Sequence, residues 1–290
     1  MKALKTITIA LIALIASLPA TYAETRRALV IGLGRQLDPA WNKINGDRDV
    51  PLVTDMLVRN GFSDIATLIN TAATKAAIVA QLQALADRAE PGDLVYVHFS
   101  GHGQRVTDLD GDEADGLDEA WIPYDAFQAY SATYHGEKHL TDDEVGRYMS
   151  AIHAKVGANG TVAVVVDACH SGDSTRAFTP GDEEDAVRGV YRDFVIPAPK
   201  PQRRQPYPET WITLSACQDY QFNQEYRGVG KLTHILVHNW QNYADLDNAA
   251  LLRAVTERMQ SRLYKGRFPQ TPAMTGQMSH LFSRIFRAPR

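Results

Sequence analysis

From Ala28 onward, short apolar runs alternate with stretches whose apolar residues recur every three or four positions. Ala28-Leu29-Val30-Ile31 reads as a buried strand, and Val50, Val53, Met56 and Leu57 then share one helical face up to the stop signal Asn60-Gly61. Ile65 to Ile69 reads as a second strand. Thr74 to Ala89 is an Ala-rich helix with Ile78, Leu82, Leu85 and Ala89 on one side. A Pro91-Gly92-Asp93 turn leads into a third strand, Leu94 to Phe99, after which the pattern lapses into a long acidic loop. Thr141-Asp142-Asp143-Glu144 has the form of a capping box and predicts a helix through Ile152. Thr161 to Val166 is the most apolar strand, Trp211 to Leu214 the next, and Asp247 to Lys265 an amphipathic helix. Strands alternating with helices predict an α/β fold whose central, mostly parallel β-sheet is flanked by helices on both faces.

Two segments fall outside that alternation. Lys2 and Lys5 precede an apolar run from Ile7 to Leu18, and small residues up to Ala23 follow. This pattern predicts a signal peptide over 1–23, hence export to the periplasm or secretion, with the remaining domain over 24–290. The apolar run falls short of the roughly 20 residues a spanning helix needs, so no stable membrane span is expected after cleavage. Residues 171–209 hold Pro180, Pro197, Pro199, Pro201, Pro206 and Pro208 around an acidic run, Asp182 to Asp185. They predict a mobile, solvated linker loop inside the one domain, since strands on either side feed the same sheet.

Bulk composition narrows the function classes. A chain of 290 residues that is 44% hydrophobic and 22% charged can bury a large core. Its net charge of −4 gives no basic stripe for nucleic acid. Two cysteines make neither a disulfide scaffold nor a Cys-rich zinc site. There is no internal repeat, and the bulk numbers leave a soluble globular domain that is an enzyme or a binding module; a monomer is expected.

Several local patterns invite a chemistry. Gly32-Leu33-Gly34 after the first strand lacks the third glycine of a dinucleotide fingerprint and reads as an ordinary strand-to-loop turn. The segment Asp108 to Glu119 is not an EF-hand, because Glu113 stands where that loop needs glycine. On spacing alone it is a solvated acidic loop. The strongest signal is a pair of Gly-flanked strand ends, Ser100-Gly101-His102-Gly103 and Asp167-Ala168-Cys169-His170-Ser171-Gly172. In a parallel sheet the carboxyl ends of neighbouring strands face one crevice, which brings His102 and Cys169 together as base and nucleophile. Gly103 lets backbone approach a substrate and, with Cys169, offers an N–H to an oxyanion. His170 adjoins Cys169 and points the other way along an extended segment, while Cys217 reads as a packed thiol.

At these motifs the chain resembles the caspase-like cysteine peptidases, and most closely metacaspases and their bacterial relatives. Arg27 to Gly32, Gly46-Asp47-Arg48-Asp49, Gly111 to Glu119, Ser215 to Asp219, Lys231-Leu232-Thr233 and Gln270-Thr271-Pro272 agree in order with that family, over nearly all of residues 26–285. The resemblance implies a caspase-like fold with His102 as general base and Cys169 as nucleophile. It implies cleavage after Arg or Lys through an acidic pocket at Asp49, Ser100 and Asp167. No cofactor is required for that chemistry. Calcium is implied as an activator held at Asp118, Asp142 and Asp143, although Arg176 stands where a further acidic ligand is expected. Expected partners are peptides or proteins with basic residues. Self-cleavage within 171–209 follows from the basic residues there, among them Arg176, Arg188, Arg192, Lys200, Arg203 and Arg204. The alternatives are a non-catalytic caspase-like module that binds basic peptides and a calcium-binding structural protein.

Overall fold

The computed structural model describes residues 24–169, 187–189, 192–197, 208–218 and 220–287. The expected signal peptide over 1–23, and Arg176, Lys200, Arg203 and Arg204 of the linker, lie outside the described residues. In chain order the elements are β1 (Arg26–Gly32), α1 (Asp49–Arg59), β2 (Asp64–Ile69), α2 (Lys75–Arg88), β3 (Leu94–Ser100), β4 (Gly103–Thr107), β5 (Leu117–Trp121) and β6 (Leu140–Thr141). Then come α3 (Asp142–Val156), β7 (Thr161–Asp167), β8 (Ile212–Ser215), β9 (Glu225–Tyr226), β10 (Val229–Gly230), α4 (Lys231–Tyr243), α5 (Asn248–Gln260) and β11 (Ala273–Gly276).

Six strands form the main sheet in the order β11-β8-β7-β3-β1-β2. All neighbours run parallel except β11, which is antiparallel to β8. Because successive strand residues point to opposite faces, each apolar run feeds two cores at once. Leu29, Ile31, Val95, Val97, Val162 and Val164 pack with Ile78 and Leu82 of α2 and Met149 and Ile152 of α3. Ala28, Val30, Tyr96, Ala163 and Val165 pack on the other face with Val53 of α1, Leu236 of α4 and Val255 of α5. The predicted doubly covered, mostly parallel sheet is therefore the observed one.

Helix boundaries follow their caps. Thr74 accepts from Ala77 N–H and Thr141 from Glu144 N–H, each satisfying a donor of the first turn. Only half of the predicted capping box forms at α3, because Glu144 turns to Lys75 Nζ at 2.6 Å instead of back to the cap. That helix runs to Val156, four residues past the predicted end, and α5 stops at Gln260, five residues short. The acidic loop is partly ordered: β4 and β5 form a hairpin that carries β6 and builds a second sheet.

Where the linker is described, at 187–189 and 192–197, part of it is buried rather than solvated. Among its described residues, Arg188 is fully buried and Phe194 nearly so. Phe194 docks on β4 through bonds to the backbone of Arg105 and Thr107 and joins Trp41, Val106 and Tyr134 in an apolar cluster. An aromatic side chain and a paired arginine are enough to pin this stretch to the domain.

Candidate active site

Strand register does most of the positioning. Ser100 and Asp167 are direct partners across β3 and β7, and Gly32 lies beside Ser100 on β1. Just beyond these ends the chain places His102 and Cys169, both fully buried. His102 Nε2 lies 2.7 Å from the carbonyl oxygen of Asn42. A carbonyl only accepts, so Nε2 carries the proton and Nδ1 keeps a lone pair. Nδ1 has no hydrogen-bond partner among the described residues. Burial, opposed by the Asn42 bond, holds the ring's pKa down at about 4, so the imidazole is neutral at pH 7. A neutral ring with a bare, buried nitrogen is equipped to take a proton. Trp41 flanks it at 5.1 Å between ring centroids.

Cys169 is oriented by Gln221, whose carbonyl accepts from Sγ at 3.1 Å. Cys217 packs in the same cluster as Cys169, Val187 and Phe222, as a thiol and not in a disulfide.

The pocket beside the cysteine is filled by the chain itself. Arg188 N–H donates to the carbonyl of Asn223 at 3.0 Å, and Arg188 O accepts from Cys169 N–H at 2.9 Å. Val187 pairs antiparallel with Gln224, and Gly189 pairs in a parallel bridge with Gly103. A Cβ on Gly189 would stand 2.9 Å from Cys169 Sγ, so only glycine fits against the thiol here. The Arg188–Gly189 peptide thus runs between the cysteine and the segment that follows His102. It makes the strand-like contacts by which an extended peptide lies in a groove.

The guanidinium of Arg188 meets three carboxylates. Nη1 donates to Asp49 Oδ2 at 2.7 Å and lies 3.7 Å from Asp167 Oδ1, and Nε donates to Glu225 Oε1 at 3.0 Å. Each acid is also tied to the frame. Asp49 accepts from Ser100 Oγ at 2.7 Å and Gly230 N–H at 3.1 Å. Asp167 accepts from Asn223 Nδ2 and from both the N–H and hydroxyl of Thr233. Glu225 accepts from Asn45 through its N–H at 2.7 Å and Nδ2 at 2.6 Å. Asp49 and Thr233 sit in the first turns of α1 and α4, where exposed backbone N–H groups favour negative charge. Burial opposes the charge on Arg188, but Asp49, Glu225 and Asp167 outweigh it and raise its pKa above the usual arginine value. Burial pushes Asp49 up to about 6 against the pull of Arg188.

Cys169, Gly103, Asp49 and Asp167 therefore contact one peptide, with two refinements. Ser100 reaches the arginine only through Asp49, to which it donates. Glu225, Asn223 and Asn45 belong to the pocket although no motif marked them, and the polar, charged sequence around Asn223-Gln224-Glu225 gives no signal that sets them apart.

The acidic residues on the β4–β5 side do not form one set. Asp118 groups with Asp108 and Asp112, Asp143 with Asp110 and Asp112, and Asp142 with Glu113 and Glu119. Burial, then Asp142 and other neighbouring acids, pushes Asp118 up to about 8, and burial with Asp143 pushes Asp142 up to about 7. These are oxygen donors crowded beyond what their charges favour, which suits a hard cation.

A doubly covered sheet whose central strands end in this histidine and cysteine defines a caspase-like protein. Caspase-1 of Spodoptera frugiperda shares the fold with a TM-score of 0.61 and 13% identity, over 93% of this chain and 94% of that one. A protein of Geobacter sulfurreducens shares it with a TM-score of 0.65 and 24% identity, over 92% of this chain and 100% of that one. The metacaspase peptidase C14 domain matches residues 26–176, and the chain belongs to that family. Metacaspase-1B of Aspergillus fumigatus is 35% identical over 157 residues, which are 51% of this chain and 35% of the relative. Metacaspase-1B of Aspergillus terreus is 40% identical over 100 residues, 34% of this chain and 23% of the relative. The chain thus matches about a third or less of the length of these curated relatives.

Proposed function

We propose that this protein is a cysteine endopeptidase that cleaves peptide bonds after arginine, and after lysine more slowly. The observation that carries the reading is the seating of Arg188, with its side chain among three buried carboxylates and its carbonyl on the N–H of Cys169. In the proposed reaction His102 Nδ1 takes the Sγ proton, and the thiolate adds to the carbonyl carbon. Cys169 N–H, with Gly103 N–H, holds the oxyanion, and the proton passes to the leaving amine as the C–N bond breaks. Water then hydrolyses the thioester. Arginine is preferred because its Nε reaches Glu225, whereas a lysine would set a methylene against that buried carboxylate.

The same seating supports self-processing, at Arg188–Gly189, within one chain or between two. A substrate reaches Cys169 only after Arg188 leaves the pocket or that bond is cut. We further propose calcium as an activator, held by the carboxylates around Asp118, Asp142 and Asp143. No cofactor enters the chemistry itself. Export to the periplasm or outside rests on the pattern of residues 1–23. No helix among the described residues is long and apolar enough to cross a membrane. We propose that the protein acts as a monomer.

A panel of peptides with Arg, Lys or Asp before the scissile bond tests the reading. Arg peptides should be cut about 10- to 100-fold faster than Lys peptides, the worth of one or two charge-assisted bonds, and Asp peptides not at all. Glu225→Gln should narrow the Arg-to-Lys ratio, and Cys169→Ala or His102→Ala should abolish hydrolysis in a folded chain. Tight binding of Arg peptides with no hydrolysis would instead identify a peptide-binding module.

A further inference from the structure

The central strand β3 carries a polar stripe that the reaction does not use directly. Tyr96, His98 and Ser100 alternate on one face of a strand paired on both sides, and each is at most 1% exposed. Buried parallel strands are normally apolar, and each polar group there costs free energy unless it is bonded. Here each one is. Tyr96 Oη lies 3.0 Å from His98 Nδ1, and His98 Nε2 lies 3.0 Å from Ser100 Oγ and 3.2 Å from Thr233 Oγ1.

The protons in this network can be assigned from the pocket inward. An ionised carboxylate only accepts, so the single hydroxyl proton of Ser100 points to Asp49 Oδ2, at 2.7 Å, and that of Thr233 to Asp167 Oδ2, at 2.6 Å. Both hydroxyls must therefore accept from the imidazole, and His98 Nε2 carries the proton they share. Nδ1 is then bare and accepts from Tyr96. Burial supports this assignment: it holds His98 neutral, with a pKa of about 4, and keeps the Tyr96 phenol protonated.

We propose that His98 is a positioning residue for the arginine pocket: its one shared N–H sets two hydroxyls, and each hydroxyl aims one pocket carboxylate, Asp49 or Asp167, at the guanidinium. The proposal rests on the reading that this pocket takes the basic side chain of a substrate. Without the shared donor, Ser100 and Thr233 are free to turn their protons elsewhere. Two like-charged carboxylates in one buried pocket then lose the bonds that hold them ionised and apart.

The test uses the full chain carrying Arg188→Ala, so that the chain's own arginine does not compete for the pocket, with an Arg peptide and two thiol reagents, iodoacetamide and a peptidyl-arginine chloromethyl ketone. His98→Leu should raise KM about tenfold or more, the scale of lost bonds to charged groups, and leave kcat within a few-fold. It should slow labelling of Cys169 by the arginine reagent by a similar factor and leave iodoacetamide labelling unchanged. His98→Gln, whose amide still donates to both hydroxyls, should restore most of the loss. Thr233→Val, which removes one of the two arms, should give an intermediate KM and serves if His98→Leu does not fold. An unchanged KM in His98→Leu or Thr233→Val overturns the proposal. So does an equal loss with both reagents that His98→Gln fails to restore, which marks a merely structural role. If the Arg188→Ala chain without further change neither cuts Arg peptides nor prefers the arginine reagent, it is the pocket reading that fails.

Discussion

Asp49 is the residue whose charge state controls the pocket. Burial pushes it up to about 6 even beside the guanidinium of Arg188, and an empty pocket would lack that compensation. The ionised form pairs with arginine, so affinity for a basic side chain is fully present above the empty pocket's higher value and lost as pH falls from there toward about 6. His102, held at about 4, stays unprotonated over the same range. The acid limb should therefore enter through KM, which rises as pH falls from the empty pocket's higher value toward about 6 and levels off below it, while kcat stays level until near pH 4. Profiles of both constants on an Arg peptide check this, and a kcat limb near pH 6.5 with flat KM would contradict it. His102 and Cys169 were legible in the sequence because each sits at a Gly-flanked strand end that hydrophobic patterning already locates, whereas Asp49 and Asp167 came from the resemblance to the family. Glu225 was not legible. Its partner Asn45 is 180 positions away, and only the folded loop brings them together. His98 was hidden for a different reason: its strand reads as apolar, and its role depends on neighbours across the sheet.

Among the elements, the five parallel strands of the main sheet and α1 to α3 follow from periodicity, whereas β11 and the β4–β5 hairpin do not. Gln104, Arg105 and Thr107 face Ala120, Glu119 and Leu117, so alternation is weak, and the strands are joined by an acidic turn. The two-residue strands β9 and β10 are too short to leave any periodic mark, and α4 begins at a buried lysine, Lys231, where an apolar face is hard to see. The hairpin matters because its acids, with Asp142 and Asp143 at the start of α3, form the proposed calcium region. Bound cation would tie hairpin to helix and offset the crowding that raises Asp118 and Asp142. Calorimetry should find binding with a dissociation constant on the order of 10⁻⁴–10⁻³ M, weakened by Asp118→Asn, together with a higher melting temperature in calcium. No heat of binding and an unchanged melting temperature would remove calcium from the account.

Across the whole molecule, one sheet brings distant parts of the chain to a single edge. α1 supplies Asp49, β3 leads to His102, β7 leads to Cys169, and the loop before β9 supplies Asn223. Into that crevice the chain inserts Arg188, which lies only 19 positions beyond the nucleophile yet makes the contacts of a bound peptide. The linker was expected to be solvated because its composition is polar and Pro-rich. Composition does not register that one buried arginine can find three acids. On this reading Arg188 occupies the site as a substrate does. The most direct test is to incubate the purified chain with calcium and sequence the N-termini that appear. A fragment beginning Gly189-Val190-Tyr191 should appear, and should be absent in both Cys169→Ala and Arg188→Ala. Cleavage only at other basic residues, or an uncut chain that hydrolyses Arg peptides at full rate, would contradict it.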